Sequence, residues 1–120
     1  MHFFFDAYAL IEVIRGNASY SRFKEETVIT SAPQVSEAFY YALRTGQTSE
    51  FKLALQKMRP ELLGATLQDW EEAASMKFAY KSKRLSLIDC LGYGLARKNY
   101  LKFLTGDKEF EVMANVEFVK

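Results

Sequence analysis

Residues 1–10, with the sequence MHFFFDAYAL, decide the fold of this chain. The apolar run from Phe3 to Phe5 ends abruptly at the carboxylate of Asp6. A helical pattern of apolar residues begins directly afterwards and stops at Gly16, as is typical of a helix C-terminus. This order predicts a buried strand, an acid at its carboxyl end and then a helix. In an open α/β sheet such an acid lines the ligand crevice, so we expect Asp6 at the mouth of a site.

Strands and helices alternate along the rest of the chain. Strands are predicted at 27–30, 62–67, 101–104 and 116–119, and helices at 31–44, 48–59, 68–80, from 86 onwards and at 108–113. The polar stretch 17–26 has no clear period and is expected to be a loop or a frayed helix. Because no linker or repeat interrupts this alternation, we predict a single domain over residues 1–120. Its expected fold is a three-layer α/β/α arrangement around a mostly parallel sheet, although periodicity does not fix the strand order.

Local patterns add predictions about individual side chains. Ser31, Pro33 and Gln34 are typical of a helix start, with Ser31 as the N-cap and Gln34 as its capping partner. The apolar spacing of the helices predicts that Leu43 and Phe78 face the core.

Composition limits the class of protein. The chain has 120 residues, 16 Lys and Arg against 15 Asp and Glu, and a formal charge of +1, so overall charge does not indicate a polyanion partner. Cys90 is the single cysteine, which excludes an intrachain disulfide and fits a reducing compartment. No apolar run approaches the ~20 residues of a membrane span. We therefore expect a cytoplasmic protein that does not contact a membrane.

Four acids, Asp6, Glu37, Asp89 and Asp107, are the candidates for chemistry. Each has an ordinary structural alternative: Asp6 as a helix N-cap, Glu37 as a solvated helix residue, and Asp107 as a turn residue. Asp89 lies three residues after Ser86 and fits a capping box. These alternatives stay open for each acid taken alone.

The arrangement of the four acids favours a shared site. In a parallel sheet, the carboxyl ends of strands and the starts of the following helices lie at one edge, so all four carboxylates are expected there. Carboxylates brought together repel one another, and a divalent cation removes that conflict. No Cys or His is placed to join them, because His2 lies at the opposite end of its strand and Cys90 is expected to be buried. An all-oxygen set favours Mg²⁺ or Mn²⁺ over zinc.

Several short motifs taken together resemble the PIN domain, and in particular the VapC-type toxin ribonucleases of prokaryotes. They are Asp6 with Leu10 and Ile11, Ser36-Glu37, Ser86-x-x-Asp89, and the block from Leu104 to Phe110. The resemblance covers nearly the whole chain, and its most specific part is Thr105-x-Asp107-x-x-Phe110. One position departs from the pattern: many relatives carry Ser or Thr where this chain has Ala7, which puts metal affinity or rate in question.

The resemblance implies a metal-dependent endoribonuclease that cleaves single-stranded or loop RNA with a metal-activated water. It implies Mg²⁺ or Mn²⁺ held by Asp6, Glu37, Asp89 and Asp107, with Thr105 supporting the site. Thr105 is equally well explained as a strand-end residue that hydrogen-bonds the turn. The resemblance further implies a toxin inhibited by a cognate antitoxin protein, and a homodimer.

Other residues are candidates for contacts with RNA or protein. Basic residues that would contact RNA phosphates are Arg15, Lys81, Lys83, Arg84, Lys98 and Lys108. Tyr8, Tyr40 and Tyr41 are candidates for base stacking, and Phe51, Leu55 and Met58 for an apolar partner surface, with core packing as the alternative for both sets.

Two other functions remain open from the sequence. A phosphoryl-transfer protein of receiver or haloacid-dehalogenase type also places acids at strand ends, but the position after Asp6 is Ala7 rather than a second acid. A PIN-like RNA- or protein-binding module without catalytic activity is the other alternative.

Overall fold

The computed structural model describes residues 2–120. Five strands are formed within this range: β1 (Phe3–Phe5), β2 (Ile29–Thr30), β3 (Glu61–Leu62), β4 (Lys102–Thr105) and β5 (Val116–Phe118). Five α-helices connect or follow them: α1 (Ala7–Arg15), α2 (Ala32–Thr45), α3 (Thr48–Met58), α4 (Leu67–Ala79) and α5 (Leu87–Lys98). Two short 3₁₀ helices cover Ala18–Phe23 and Lys108–Phe110. No helix in the described range is both long and apolar enough to cross a bilayer.

The five strands form one parallel sheet in the order β3-β2-β1-β4-β5. Strand β1 is central, and Phe5 is in register with Leu104 of β4. The chain leaves β1 toward β2 on one side and leaves β4 toward β5 on the other. This divergence creates a crevice at the carboxyl ends of β1 and β4, where open α/β sheets bind ligands.

Helices cover both faces of the sheet, as the alternation of side chains along β1 requires. Phe4 is fully buried on the face covered by α4 and α5, where it stacks near Phe103 with 6.0 Å between ring centroids. Phe5 is fully buried on the other face, in the cluster that includes Leu10 of α1 and Ala38 of α2. Burial of each such phenylalanine contributes roughly 2–3 kcal/mol to folding. The predicted three-layer α/β/α fold is therefore confirmed.

The element boundaries agree with the sequence patterns in most places. Gly16 and Gly46 end α1 and α2 in the left-handed conformation, with φ of 78° and 69°. The stretch 17–26 contains a 3₁₀ helix, the strand predicted at 62–67 shrinks to two residues at 61–62, and the helix predicted at 108–113 is a single 3₁₀ turn.

Three side-chain predictions were wrong. Ser31 is the N-cap of α2 as predicted, but its hydroxyl makes no capping bond. Gln34 is not its capping partner, because the buried Gln34 amide bonds Ala7 N and Ile88 O instead. Leu43 is 56% exposed and Phe78 is 71% exposed. Helix α4 packs through a stripe centred on Ala73, and Phe78 lies about 140° around the helix from it. The spacing of apolar residues therefore misjudged which side of α4 meets the core.

Candidate functional site

Asp6 lies at the carboxyl end of β1 and is the N-cap of α1. Its Oδ1 accepts a hydrogen bond from Ala9 N at 2.8 Å, and the residue is only 3% exposed. The Thr105 hydroxyl, on the neighbouring strand β4, lies close enough to this carboxylate to lower its pKa. Burial raises the pKa of Asp6 to about 8, and the charges of Asp89 and Asp107 add to this increase. Asp6 therefore caps α1, but capping does not explain why Asp89 and Asp107 lie near it.

Asp89 stands in the first turn of α5 and forms the capping box that the sequence indicated. Its Oδ2 accepts from Ser86 N at 2.9 Å, and Ser86 Oγ accepts from Asp89 N at 3.0 Å. Burial raises the pKa of Asp89, and the charge of Asp107 raises it further, against the opposing effects of Ser86 and Lys77. Asp89 thus faces another acid although its local structure is complete without one.

Asp69 provides an internal comparison, because α4 begins with the same capping box. Asp69 Oδ2 accepts from Thr66 N at 2.8 Å, and Asp69 also pairs with Lys98 at 3.2 Å. Its pKa is lowered, first by the Thr66 backbone N–H and then by Lys98. Two capping boxes of the same type therefore differ in their surroundings: Asp69 is ion-paired with a lysine, whereas Asp89 has the carboxylate of Asp107 among its neighbours.

Asp107 follows β4 directly and begins the 3₁₀ turn. Its backbone N donates to Thr105 Oγ1 at 3.0 Å, and its Oδ1 accepts from Glu109 N at 3.0 Å. At Gly106, between these two residues, a Cβ atom would collide with the Tyr8 ring and with a backbone carbonyl oxygen of the last strand region. Only glycine therefore fits at position 106, and this close packing constrains where the backbone places Asp107.

Glu37 lies in the second turn of α2 and is half-buried. Burial raises its pKa, and the charge of Asp89 contributes. The four acids are thus linked electrostatically: Asp6 with Asp89 and Asp107, Asp89 with Asp107, and Glu37 with Asp89. They occupy one region at the carboxyl edge of the sheet, while their catalytic and metal-binding roles stay predictions.

Gln34 is a positioning residue that sequence reasoning missed. Its Oε1 accepts from Ala7 N at 2.9 Å, and its Nε2 donates to Ile88 O at 2.8 Å. Ala7 follows Asp6 and Ile88 precedes Asp89, so one buried amide spans the backbone next to both acids. The available signal was a glutamine in an otherwise apolar helix start, but the same residue also fits a capping partner.

A cavity of about 530 Å³ between α1 and α2 adjoins the acids. It is lined by Ala7, Tyr8, Ile11, Ser36, Glu37, Tyr40, Tyr41 and Arg44. Burial raises the pKa of Tyr8, and the charges of Glu12, Asp6 and Asp107 add to the increase, so this phenol lies near the site acids as well as near Glu12. The three tyrosines proposed for base stacking therefore share one groove.

The candidate basic residues fall into two groups. Lys98 is paired with Asp69 at the far end of α5, and Arg15 is paired with Glu12 at 3.1 Å at the far end of α1. By contrast, Lys83 Nζ donates to the backbone oxygen of Glu109 at 3.1 Å, which holds the basic loop beside the turn begun by Asp107. Arg84 N also donates to Glu109 Oε1, at 3.2 Å, and Lys108 is part of the turn itself. Lys81 belongs to the same basic loop, residues 81–84, but its ammonium lies over the Phe78 ring.

The donor set fits a hard divalent cation. Asp6, Asp89 and Asp107 each use one carboxylate oxygen to accept a backbone N–H, so each has a second oxygen for another partner. The charge of Asp107 raises the pKa of both Asp6 and Asp89, and a cation would relieve that repulsion between carboxylates. Among residues 2–120, however, no three His, Cys, Asp or Glu side chains are arranged as a group able to hold a metal as they stand. Binding a cation would therefore require these carboxylates to move.

Comparisons with known proteins agree with this fold. The family model described as PIN domain matches residues 3–116. A chain from a toxin–antitoxin complex of Klebsiella pneumoniae is 20% identical and has a TM-score of 0.75, covering 96% of this chain and 95% of that one. VapC20 of Mycobacterium tuberculosis, a sarcin-ricin loop cleaving toxin, is 16% identical with a TM-score of 0.82, covering 98% and 99%. Among curated proteins, none matches the sequence significantly. At these identities the two structures demonstrate a common fold.

Proposed function

This chain belongs to the PIN domain family, and on that premise we propose that it is a metal-dependent endoribonuclease, the toxin of a toxin–antitoxin pair. One observation carries the proposal: the capping acid of α5 has an acidic neighbour, Asp107, in addition to Lys77, whereas the matching acid of α4 is paired with a lysine and no acid raises its pKa. A capping role alone gives no reason to keep Asp89 beside Asp107. A cation bound by both carboxylates would explain why they lie close together.

We assign the metal to the second carboxylate oxygens of Asp6, Asp89 and Asp107, with Glu37 completing the set. The acids are oxygen donors, which favour Mg²⁺ or Mn²⁺. When bound, such an ion polarises the scissile phosphate and makes a water molecule acidic enough to serve as the nucleophile. The Thr105 hydroxyl lowers the pKa of Asp6, which favours the ionised form that a metal ligand needs, and it orients Asp107 by accepting that residue's N–H.

The chain's own residues would position the RNA. The tyrosine groove between α1 and α2 offers aromatic surfaces for unpaired bases, and the basic loop 81–84 offers cations for phosphates. Because these groups flank the acids on two sides, an RNA strand is expected to cross the carboxyl edge of the sheet between them. Single-stranded or loop RNA suits this arrangement, since its bases are free to stack.

An antitoxin and a second copy of the chain are the proposed protein partners. Exposed apolar side chains on α2, Tyr40 at 62% and Leu43 at 56%, support a protein-binding surface there. The stripe of Phe51, Leu55 and Met58 is less available, since Phe51 is buried and the other two pack partly on the core. The relative from Klebsiella pneumoniae is itself part of a toxin–antitoxin complex, which agrees with this proposal.

One alternative keeps a specific observation in its favour. Ala7 supplies no hydroxyl next to Asp6, and no complete metal-binding group is preformed in residues 2–120. A PIN-like module that binds RNA or protein without cleaving would have these features. The phosphoryl-transfer alternative loses its support, because the chain belongs to the PIN family.

Cleavage of a mixed pool of structured RNAs separates these functions. The wild type should cut with Mn²⁺ or Mg²⁺ and not with chelator, while Asp6→Asn and Asp89→Asn should each lose about 100-fold or more of the activity. Asp69→Asn is the matched control, because it removes the same kind of capping carboxylate from α4 and should leave cleavage intact.

Two outcomes would contradict the proposal. Equal cutting by the wild type and both site variants would indicate a contaminating nuclease. An absence of cutting with every metal, together with retained RNA binding, would favour the non-catalytic module.

A further inference from the structure

A cavity of about 360 Å³ lies between the end of α4 and the start of α5, on the side of the acids away from the tyrosine groove. We call it the α4–α5 pocket; its lining residues are Ala74, Lys77, Phe78, Lys81 and Leu87. Two of these side chains are apolar and exposed, Phe78 at 71% and Leu87 at 44%. Large apolar side chains exposed side by side in a concave surface are typical of a binding site.

The lining residues of the α4–α5 pocket indicate which kind of ligand it would bind. The Lys81 ammonium lies 4.7 Å from the centre of the Phe78 ring, and Lys77 adds a second cation. None of the five lining residues is acidic. Because Lys81 lies over the ring, a base would stack on the part of Phe78 that the lysine leaves exposed. An exposed aromatic ring with two cations close by is complementary to a base joined to phosphates, since the cations neutralise the phosphates.

The position of the pocket ties it to the acids. Leu87 is the first residue of α5, and Asp89 follows it within the same turn. Lys77 Nζ donates to Leu85 O at 2.7 Å, which holds this lysine close to the helix start, and its charge acts on Asp89. A nucleotide bound in the α4–α5 pocket would therefore be adjacent, along the RNA strand, to the phosphate that lies at the acids.

Another groove on the same helices does not share this chemistry. The larger cavity toward the other end of α4 and α5 is lined in part by Asp69 and Glu72. Asp69 already pairs with Lys98 there, and the aromatic ring beneath Arg97, that of Tyr93, is buried and offers no surface for stacking. The cations and the exposed aromatic ring coincide at the end of the helices that carries Asp89.

We propose that the α4–α5 pocket binds one unpaired nucleotide of the RNA substrate, with its base stacked on Phe78 and its phosphates bound by Lys77 and Lys81. This subsite rests on the proposed function, since it takes RNA as the substrate. Together with the tyrosine groove it would hold the strand on both sides of the acids. Base stacking on Phe78 would also explain why this apolar ring is exposed to solvent.

Binding of a fluorescein-labelled decaadenylate, measured with the full chain in EDTA so that the probe is not cut, tests the subsite. Phe78→Ala should weaken binding about tenfold, the typical loss for one base stack, while Phe78→Trp should retain it. An abasic decamer of the same length should bind Phe78→Ala and the wild type equally. Tyr100→Ala is the control: it removes an aromatic ring that is 95% exposed beyond the opposite end of α5, and should change nothing.

The salt dependence tests the phosphate contacts separately. Lys81→Gln should reduce the slope of log affinity against log salt concentration by about 0.7, the contribution of one phosphate contact on a single strand. Phe78→Ala should leave that slope unchanged. Lys57→Gln removes an exposed lysine of α3 on the other layer and serves as the charge-matched control.

Three results would overturn the subsite: no binding of the decamer by the wild type, equal binding by Phe78→Ala, or an equal loss with the abasic probe. Sedimentation of the same variants distinguishes a protein interface, because Phe78→Ala would then change the oligomeric state while RNA affinity stayed constant. Failure of the subsite leaves the ribonuclease proposal to the metal-dependent cleavage assay. Conversely, stacking on Phe78 without any cleavage would retain the subsite and remove the enzyme.

Discussion

Gln34 lies directly against Gly92, so closely that a Cβ atom at position 92 would come within 2.5 Å of Gln34 Nε2. The same amide bonds Ala7 N and Ile88 O, the backbone groups next to Asp6 and Asp89. The spacing of α1 and α5 at the site is therefore set by a buried side chain that needs a glycine opposite it.

Gly92→Ala should destabilise the protein by about 1–3 kcal/mol, because the added methyl displaces Gln34 in a tightly packed interior. Gly94→Ala is the matched control on the same helix: nothing lies within 4 Å of its Cβ position, so it should stabilise the helix by roughly 0.5–1 kcal/mol. Chemical denaturation measures both. Equal effects of the two substitutions would contradict the contact with Gln34.

Gln34→Glu keeps the shape of the side chain but replaces the donor to Ile88 O with an acceptor. The resulting repulsion and the extra negative charge near Asp6 should cost about 1–3 kcal/mol at pH 8 and should shrink on acidification as the carboxyl takes up a proton. Unfolding measured at pH 5 and pH 8 checks this. Gln56→Glu on the exposed side of α3 should show neither effect, and a loss of stability independent of pH would count against the proposed role of the amide.

The sequence was sufficient to predict the fold because its signals are local. Phe3 to Phe5 reads as a buried strand from its composition alone, and Gly16 and Gly46 end their helices through the backbone conformation that glycine permits. The proximity of the acids also followed from topology, since parallel strands share a carboxyl edge.

Interactions between elements that are far apart along the chain could not be predicted from the sequence. The two hydrogen bonds of Gln34 join residues 27 and 54 positions away along the chain, and no periodicity encodes them. The exposure of Phe78 depends on how α4 is rotated against α5, which its apolar residues leave ambiguous because Phe78 and Ala73 both read as core positions. The lysine beside Asp69 and the acid beside Asp89 likewise become visible only when the helices are packed.

Asp6 should make stability fall as the pH rises. Its ordinary pKa is 3.8 and its pKa in the folded protein is about 8, so between these values the folded state holds a proton that the unfolded chain releases. The stabilising effect is complete below pH 4 and is lost through pH 8. Asp6→Asn has no such proton, so its Tm relative to the wild type should rise by more than about 4 °C between pH 5 and pH 8 in EDTA, the equivalent of ~1 kcal/mol. A constant difference in Tm across this range would refute the raised pKa.

Thr105→Val should shift the acid limb of the cleavage pH profile upward by about one pH unit, because the lost hydroxyl had lowered the pKa of Asp6. Thr105→Ser should restore the wild-type profile by keeping the hydroxyl. Rate profiles with Mn²⁺ for the three proteins provide the measurement. A lower rate with an unchanged profile in the valine variant would mean that Thr105 supports the turn only.

Calorimetric titration of Mn²⁺ into the full chain at pH 8 tests most directly whether the acids hold one cation. We expect binding by the wild type, a loss of about tenfold or more in affinity for each of Asp6→Asn, Asp89→Asn and Asp107→Asn, and unchanged binding by Asp69→Asn. If Asp69→Asn weakened binding as much as Asp89→Asn, or if none of the three site variants weakened it, the acids at the carboxyl edge of the sheet would not form a metal site.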